Sequence, residues 1–386
     1  MLAHGNNVWD ECVMPNETDG ERRAAFHRSD LRLQARRVKR FVVTACAISV
    51  ALATGMPVCG ENLVPAFNQS IVSLGEQLFS DPRLSADGQV SCATCHRPEH
   101  AFSDGLPVAA GTTGLHGTRN TPSLLDVAQQ RSLFWDGRRP SLESQSLDPL
   151  LNPVEHGLRN DADLLARVRA DERYAKAFHT LWGVDREGIT PQHVAQALAA
   201  YERTLVSTAT PFDRFRAGDV AALPLPARRG WQLFSDRAQC TRCHAVEGDR
   251  PLFTDHQFHS LAVGLRRIER KLPALTERLV QWRSEGRPVD HVLLNDADIA
   301  TLGRFVFTLA PADIGKFKTP ALRNVALTAP YMHDGSVATL TDAVELELYY
   351  RGTQDGRPLI LTPSEREDLV AFLKALTSDA PKGSEK

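Results

Sequence analysis

Apolar residues recur three or four positions apart in several stretches of the chain, the spacing of helices with one buried face. From Ser70 to Ser80 the repeating positions are Ile71, Leu74, Leu78 and Phe79, which predicts a helix. Asp161 to Leu181 predicts a second, with Leu164, Leu165, Val168, Tyr174 and Phe178 as its inner stripe. Pro191 to Val206 reads the same way through Val194, Ala197, Leu198, Tyr201 and Leu205. Arg228 to Ala238 and Pro363 to Thr377 complete the set, the last burying Leu369, Val370, Phe372 and Leu373. No stretch sustains the strict alternation of a strand, so the expected fold is mostly α.

Between these helices the pattern lapses. Asp104 to Thr121 is rich in Gly and Thr and predicts an irregular loop, with His100 just before it and His116 within it. Ala222 to Ala227 carries two prolines and reads as a linker, and Leu261 to Asp296, charged at helical spacing, as a surface insertion.

At 386 residues the chain exceeds the size of most single cores, so two domains are expected. Its formal net charge of −2 gives no sign of a nucleic-acid partner. Residues 1–60 stand apart. Arg36-Arg37-Val38-Lys39-Arg40 precedes eighteen uncharged, mostly apolar or small residues, Phe41 to Val58, the layout of an export signal, with a retained membrane anchor as the alternative. Export predicts a periplasmic protein.

Chemistry concentrates in Cys92-Ala93-Thr94-Cys95-His96 and Cys240-Thr241-Arg242-Cys243-His244. Two thiols three apart followed by a histidine suit a porphyrin attached by two thioethers, the imidazole binding iron from one side. Cys-x-x-Cys also serves zinc sites and redox pairs. A zinc site, however, draws its second ligand pair from within about 12 to 20 residues, much closer than these two copies lie. Two covalently bound haem c groups are the expectation. Of seven cysteines, Cys12, Cys46 and Cys59 fall in the leader, and the other four are all in the motifs. That suits an oxidising compartment, where spare thiols would not last.

The surroundings repeat too. Gly75-Glu76-Gln77-Leu78-Phe79-Ser80-Asp81 before the first motif is closely matched by Gly230-Trp231-Gln232-Leu233-Phe234-Ser235-Asp236 before the second. Trp135-Asp136-Gly137 with Ser141-Leu142 is echoed by His333-Asp334-Gly335 with Thr339-Leu340. Self-similarity at long, constant spacing marks a duplicated unit. Two cytochrome c-like haem domains with loop-rich connections follow, expected at 61–221 and 222–386.

Phe134-Trp135-Asp136-Gly137-Arg138, Leu142-Glu143-Ser144-Gln145 and Asn152-Pro153-Val154-Glu155 resemble the bacterial di-haem cytochrome c peroxidase and MauG family. In the second half Phe317-Lys318-Thr319-Pro320-Ala321-Leu322-Arg323-Asn324 and Ala329-Pro330-Tyr331-Met332-His333-Asp334-Gly335 resemble it as well. The likeness runs from about residue 65 to about 375.

The resemblance implies that hydrogen peroxide reacts at the first haem and that the second stores or relays electrons. Glu155 then matches the acid that moves a proton between the peroxide oxygens, Gln145 the amide that positions peroxide, and Pro149 an apolar wall. Trp135 matches the aromatic relay between the haems. Asn120, Thr328 and Pro330 match a calcium site between the domains, a set of oxygen donors that suits that ion.

Two departures bear on the subtype. Peroxidases of the family generally put methionine on the second iron, whereas here Met332 alone remains beyond the leader, in a turn and not at the ligand position. MauG-like members use a tyrosinate. Val344 to Gly352 resembles their stretch with two extra residues, which makes Tyr349, or its neighbour Tyr350, the ligand expectation. The usual peroxidase also carries a removable histidine ligand sixteen residues after the haem histidine, and Thr112 stands there. The first haem is therefore expected open, although His116 is a second candidate for a ligand that comes and goes.

The resemblance thus implies an exported di-haem oxidoreductase that uses peroxide and oxidises a protein partner at long range. The alternative is a peroxidase drawing electrons from a small c-type cytochrome or cupredoxin, and from another class a di-haem electron-transfer protein.

Overall fold

The structure is a computed structural model, which describes residues 63–288, 293, 296–354, 356 and 358–379. The basic run and apolar segment at 36–58, and Cys12, Cys46 and Cys59, lie outside the described residues. No helix among the described residues is long and apolar enough to cross a membrane.

The longer helices are α1 Leu63–Phe79, α2 Asp161–Ala170, α3 Glu172–Trp182, α4 Pro191–Glu202, α5 Leu225–Ser235, α6 Leu272–Ser284, α7 Leu340–Gln354 and α8 Pro363–Lys374. Strand structure among the described residues is one antiparallel pair of two-residue strands, β1 Phe258–His259 and β2 Phe317–Lys318. The chain is mostly α, as its periodicity predicts.

Where the helices differ from expectation, a cap explains it. The single helix expected at 161–181 is two, because Asp171 turns its side chain onto the Arg173 N–H and starts α3 while ending α2. The inner stripe survives: Leu164, Val168, Tyr174 and Phe178 are buried, and Leu165 packs beside them half-buried. The expected linker at 222–227 is half helix, since Pro226 sits in the first turn of α5, where a missing N–H costs nothing.

Two cores mirror each other. The first joins α1 to α4, the second α5 to α8, and each pair meets at the glycine of the repeated motif. A Cβ on Gly75 would lie 2.0 Å from the Ala197 carbonyl oxygen, and one on Gly230 1.9 Å from that of Asp368. Only glycine lets these backbones close so far. The first core ends with Leu205 and the second begins with Phe212, so the change of core precedes the proline-rich stretch. The segment expected as a surface insertion packs with the residues after it into a small separate core, with Ile268, Leu275, Leu279, Ile299, Leu302 and Phe305 buried.

A duplication that the motifs only hinted at becomes plain in the backbone. Asp126 (φ 57°) and Asn324 (φ 61°) both adopt the left-handed conformation at the start of a 3-10 turn. Their N–H groups reach the Leu205 and Leu376 carbonyls at 2.8 and 2.9 Å, closing each core around its last helix.

Candidate functional site

Each Cys-x-x-Cys-His motif is a single tight turn, closed by the histidine N–H on the first cysteine's carbonyl, at 2.9 Å for both His96 and His244. The next fold of chain then orients the imidazole. His96 Nδ1 stands 2.8 Å from the Phe102 carbonyl oxygen and His244 Nδ1 2.8 Å from that of Phe253. A carbonyl can only accept, so Nδ1 carries the proton and Nε2 keeps its lone pair for iron. Both phenylalanines are buried with positive φ (58° and 59°), the strained backbone that aims the carbonyl back at the ring. Burial lowers both imidazole pKa values, which favours the neutral, ligating form.

The thiols are unpaired with one another. Burial pushes Cys95 and Cys240 up to about 12, so they are held as thiols, unlike zinc-binding or exchanging thiolates. Cys92 packs in the first core and Cys240 in the second, so the motifs do not pool their ligands. Among the described residues, ligand-type atoms of three such side chains come within 4.8 Å of one another only at Cys243, Asp255 and His259. His259 Nε2 is there 2.7 Å from Asp255 Oδ2.

One cavity of about 580 Å³ reaches both motifs, with His96, His244 and all four motif cysteines lining it alongside Leu124, Leu133, Leu322, Val344 and Leu348. Its walls carry polar groups that protein alone does not satisfy. Arg119 has a buried Nε with no partner, and Lys318, donating to the Ser132 carbonyl at 2.6 Å, is pushed down to about 8 by burial. His333 likewise leaves a buried Nε2 unpartnered. Free Nε2 lone pairs, protonated thiols, apolar walls and an unsatisfied buried guanidinium N–H beside a buried lysine fit two porphyrins with anionic propionates.

The residues expected at the peroxide site share one cavity. Gln145, Pro149 and Glu155 line the cavity with His96. Gln145 is on the short helix Leu142–Ser146, capped by Ser141, and Pro149 is in the first turn of Asp148–Leu151. Pro149 O then accepts from the His156 N–H at 3.2 Å, which turns the chain so that Glu155 faces inward. Burial raises the Glu155 pKa above the usual carboxylate range, and Arg138 and a hydrogen bond from Asn152 offset this only in part. Thr112 does not reach the cavity. It is buried, and its N–H donates to the Glu155 carbonyl at 3.0 Å. Gly111 rests on the preceding peptide, where a Cβ would lie 1.6 Å from the Val154 oxygen. His116 is exposed and outside the cavity lining, and His100 packs against Gly105.

Trp135 lines the same cavity. Its Nε1–H donates to the Asn120 carbonyl at 2.8 Å, and its own carbonyl accepts from the Lys318 N–H at 2.8 Å. Beside it Asp136 is fully buried. Burial alone would raise its pKa, but Arg119 and Arg138 outweigh this and hold it at about 2. Asn120, Thr328 and Pro330 lie on the same wall. Asn120 spends Nδ2 on the Leu106 carbonyl (2.9 Å), which leaves Oδ1 as an acceptor for a cation.

One expectation is corrected. Tyr349 is 62% exposed, and neither it nor Tyr350 lines the cavity; the two rings pack edge to face on each other. The reason is helical register. α7 runs unbroken, so two extra residues are not bulged out, and its inner stripe is Val344, Glu347, Leu348 and Arg351.

Other cavity residues gave no isolated sequence signal. His156 is buried with Nε2 4.0 Å from Cys92 Sγ. Glu202, on the last turn of α4, is pushed up to about 8 by burial and has an unpartnered Oε2. Glu347 was legible in principle, because it keeps the three-and-four spacing of α7's apolar face.

Residues 69–221 match the family model described as di-haem cytochrome c peroxidase. The chain is 38% identical over 333 residues to cytochrome-c peroxidase IdrP1 of Denitromonas iodatirespirans, spanning 82% of this chain and 85% of that one. It is 37% identical over 315 residues to the methylamine utilization protein MauG of Methylorubrum extorquens, spanning 80% and 78%. Among solved structures, a MauG-like protein associated with microbial copper homeostasis superposes with a TM-score of 0.64 at 30% identity, covering 81% of this chain and 90% of that one. The chain belongs to the di-haem cytochrome c peroxidase and MauG family, and with it to the peroxidase-type haem oxidoreductases.

Proposed function

We propose that this is a periplasmic di-haem enzyme that consumes hydrogen peroxide at the His96 site and oxidises a protein partner at long range. One observation carries the reading: Glu155, Gln145 and Pro149 share a cavity with His96, while the only loop position where the family keeps a removable histidine is a buried threonine. Two haem c groups, held by Cys92, Cys95 and His96 and by Cys240, Cys243 and His244, would supply the iron that accepts peroxide and the store for oxidising equivalents. Gln145 orients the peroxide by hydrogen bonding, and Pro149 keeps water from the near side. Glu155 takes the proton of the oxygen nearer His96 and returns it to the departing oxygen, a double duty suited to a carboxyl raised towards neutrality. Trp135 offers an aromatic path between the two sites, and calcium at Asn120, Thr328 and Pro330 would fix the loops that carry it.

A second reading, reduction of peroxide by a small c-type cytochrome or cupredoxin, is favoured by the cytochrome-c peroxidase relative. Stopped-flow mixing distinguishes the two. Protein treated with one equivalent of peroxide is expected to oxidise reduced cytochrome c slowly and to modify a protein encoded beside it; rapid cytochrome oxidation with no modified partner overturns the long-range reading. Glu155→Gln is expected to retain both haems and lose peroxide turnover by about 10²-fold or more. Unchanged turnover would leave only an electron carrier.

A further inference from the structure

We infer that Glu347 supplies an anionic oxygen ligand to the second haem, in the place expected for a tyrosine. The inference rests on the reading of two haems given above and names the group that tunes the second.

The geometry begins with α7. A helix repeats every 3.6 residues, so Leu340, Ala343, Val344, Glu347, Leu348 and Arg351 share one face, and these are the α7 side chains that line the cavity. Four are apolar, and Arg351 is a cation with no lone pair to give. Glu347 is thus the one donor this wall presents. It lines the same cavity as His244. Its side chain is 33% exposed, enough for an inward-facing group at a cavity wall and about half of what Tyr349 shows on the outer face.

Arg351 sets the carboxylate's position. It lies 3.7 Å from Glu347 Oε2, and its Nη1 donates to the carbonyls of Ala238 (3.3 Å) and Gln239, the two residues that lead into Cys240. The carboxylate is therefore indexed to the chain that carries the thioethers. Rival donors of the same lining, His259, Tyr331, Met332 and His333, sit on other elements. His259 is bonded to Asp255 at the Cys243 edge. Met332 and His333 belong to the turn whose Gly335 rests on Pro107, in the first-site loop, and His333 stacks on Phe317 at 3.7 Å.

The chemistry follows from donor type. A carboxylate, like a tyrosinate, is a hard anion that favours ferric over ferrous iron, whereas a thioether does the reverse. A chain without a methionine here would thus hold its second haem at low potential, as storage of oxidising equivalents on that iron requires.

Holoprotein from a host competent in cytochrome maturation tests this. Haem content is measured first: fewer than two porphyrins per chain would defeat the two-haem reading itself. Low-temperature electron paramagnetic resonance and spectroelectrochemistry are then compared for the native protein, Glu347→Gln, Glu347→Met, Tyr349→Phe and Tyr350→Phe. The expected result is a changed ferric signal and a raised potential of the second haem in both Glu347 variants, with a methionine charge-transfer band in Glu347→Met, and no change in either tyrosine variant. A second-haem signal and potential unmoved in Glu347→Gln, or moved in either tyrosine variant, overturns the assignment.

Discussion

Glu155 and Glu202 show how one cavity gives two carboxyls different roles. Both are raised by burial, yet Glu155 has Arg138 and Asn152 to draw it back, whereas Glu202 has an unpartnered oxygen and reaches about 8. The sign of the resulting pH dependence is set by the raised value. Folded Glu202 holds its proton at pH values where the unfolded chain, near 4.5, has released it, so its contribution is intact below about 4.5 and is lost as pH rises towards 8. Glu202→Gln removes the titration. Denaturant midpoints of variant and native protein are expected to diverge from pH 5 to pH 8, with the variant the more stable at the upper end. At this scale the motif cysteines and histidines are legible from spacing alone. Glu202 was not, because a glutamate in the last turn of a helix reads as solvated until the fold buries it.

At the scale of elements, two helix pairs hold the haem loops, and each depends on a glycine in the duplicated motif. α5 crosses α8 where Gly230 meets the Asp368 carbonyl. That neighbour is backbone and cannot swing aside, so Gly230→Ala is expected to destabilise by about 1–3 kcal/mol, read as a lower denaturant midpoint, more than its helix propensity would gain. The helices themselves were predicted well by periodicity, and their misplaced ends trace to caps at Asp171 and Pro226. α7 taught a different lesson. Alignment on the Arg351-Gly352 pair in its last turn places a tyrosine inward, whereas an uninterrupted helix places Glu347 there, since register along a helix counts from its packed face.

At the scale of the whole molecule, the proposed path between the two haem sites runs through Trp135, which is bonded to Asn120 on one side and to Lys318 on the other. Asn120, Thr328 and Pro330 share that wall, so calcium there would stiffen the bridge without touching either iron. Chelation is expected to depress peroxide turnover and thermal stability together, with calcium restoring both and magnesium failing to, because the smaller ion demands a tighter octahedron. Retention of full turnover after complete removal of calcium would dismiss the site.

The sequence alone determined the cofactor class, the duplication and the mostly helical build, because covalent attachment and amphipathic periodicity are local properties of a chain. It also nominated Glu155, Gln145 and Pro149 for the proposed peroxide site, through strings specific enough to resemble one family. Only the tertiary structure decided which side chains share the cavity: that Thr112 is tied to the Glu155 peptide, that His116 faces solvent, and that Glu347 rather than Tyr349 turns inward. Those outcomes depend on burial and on the register of one packed surface against another, and no window of sequence contains both surfaces.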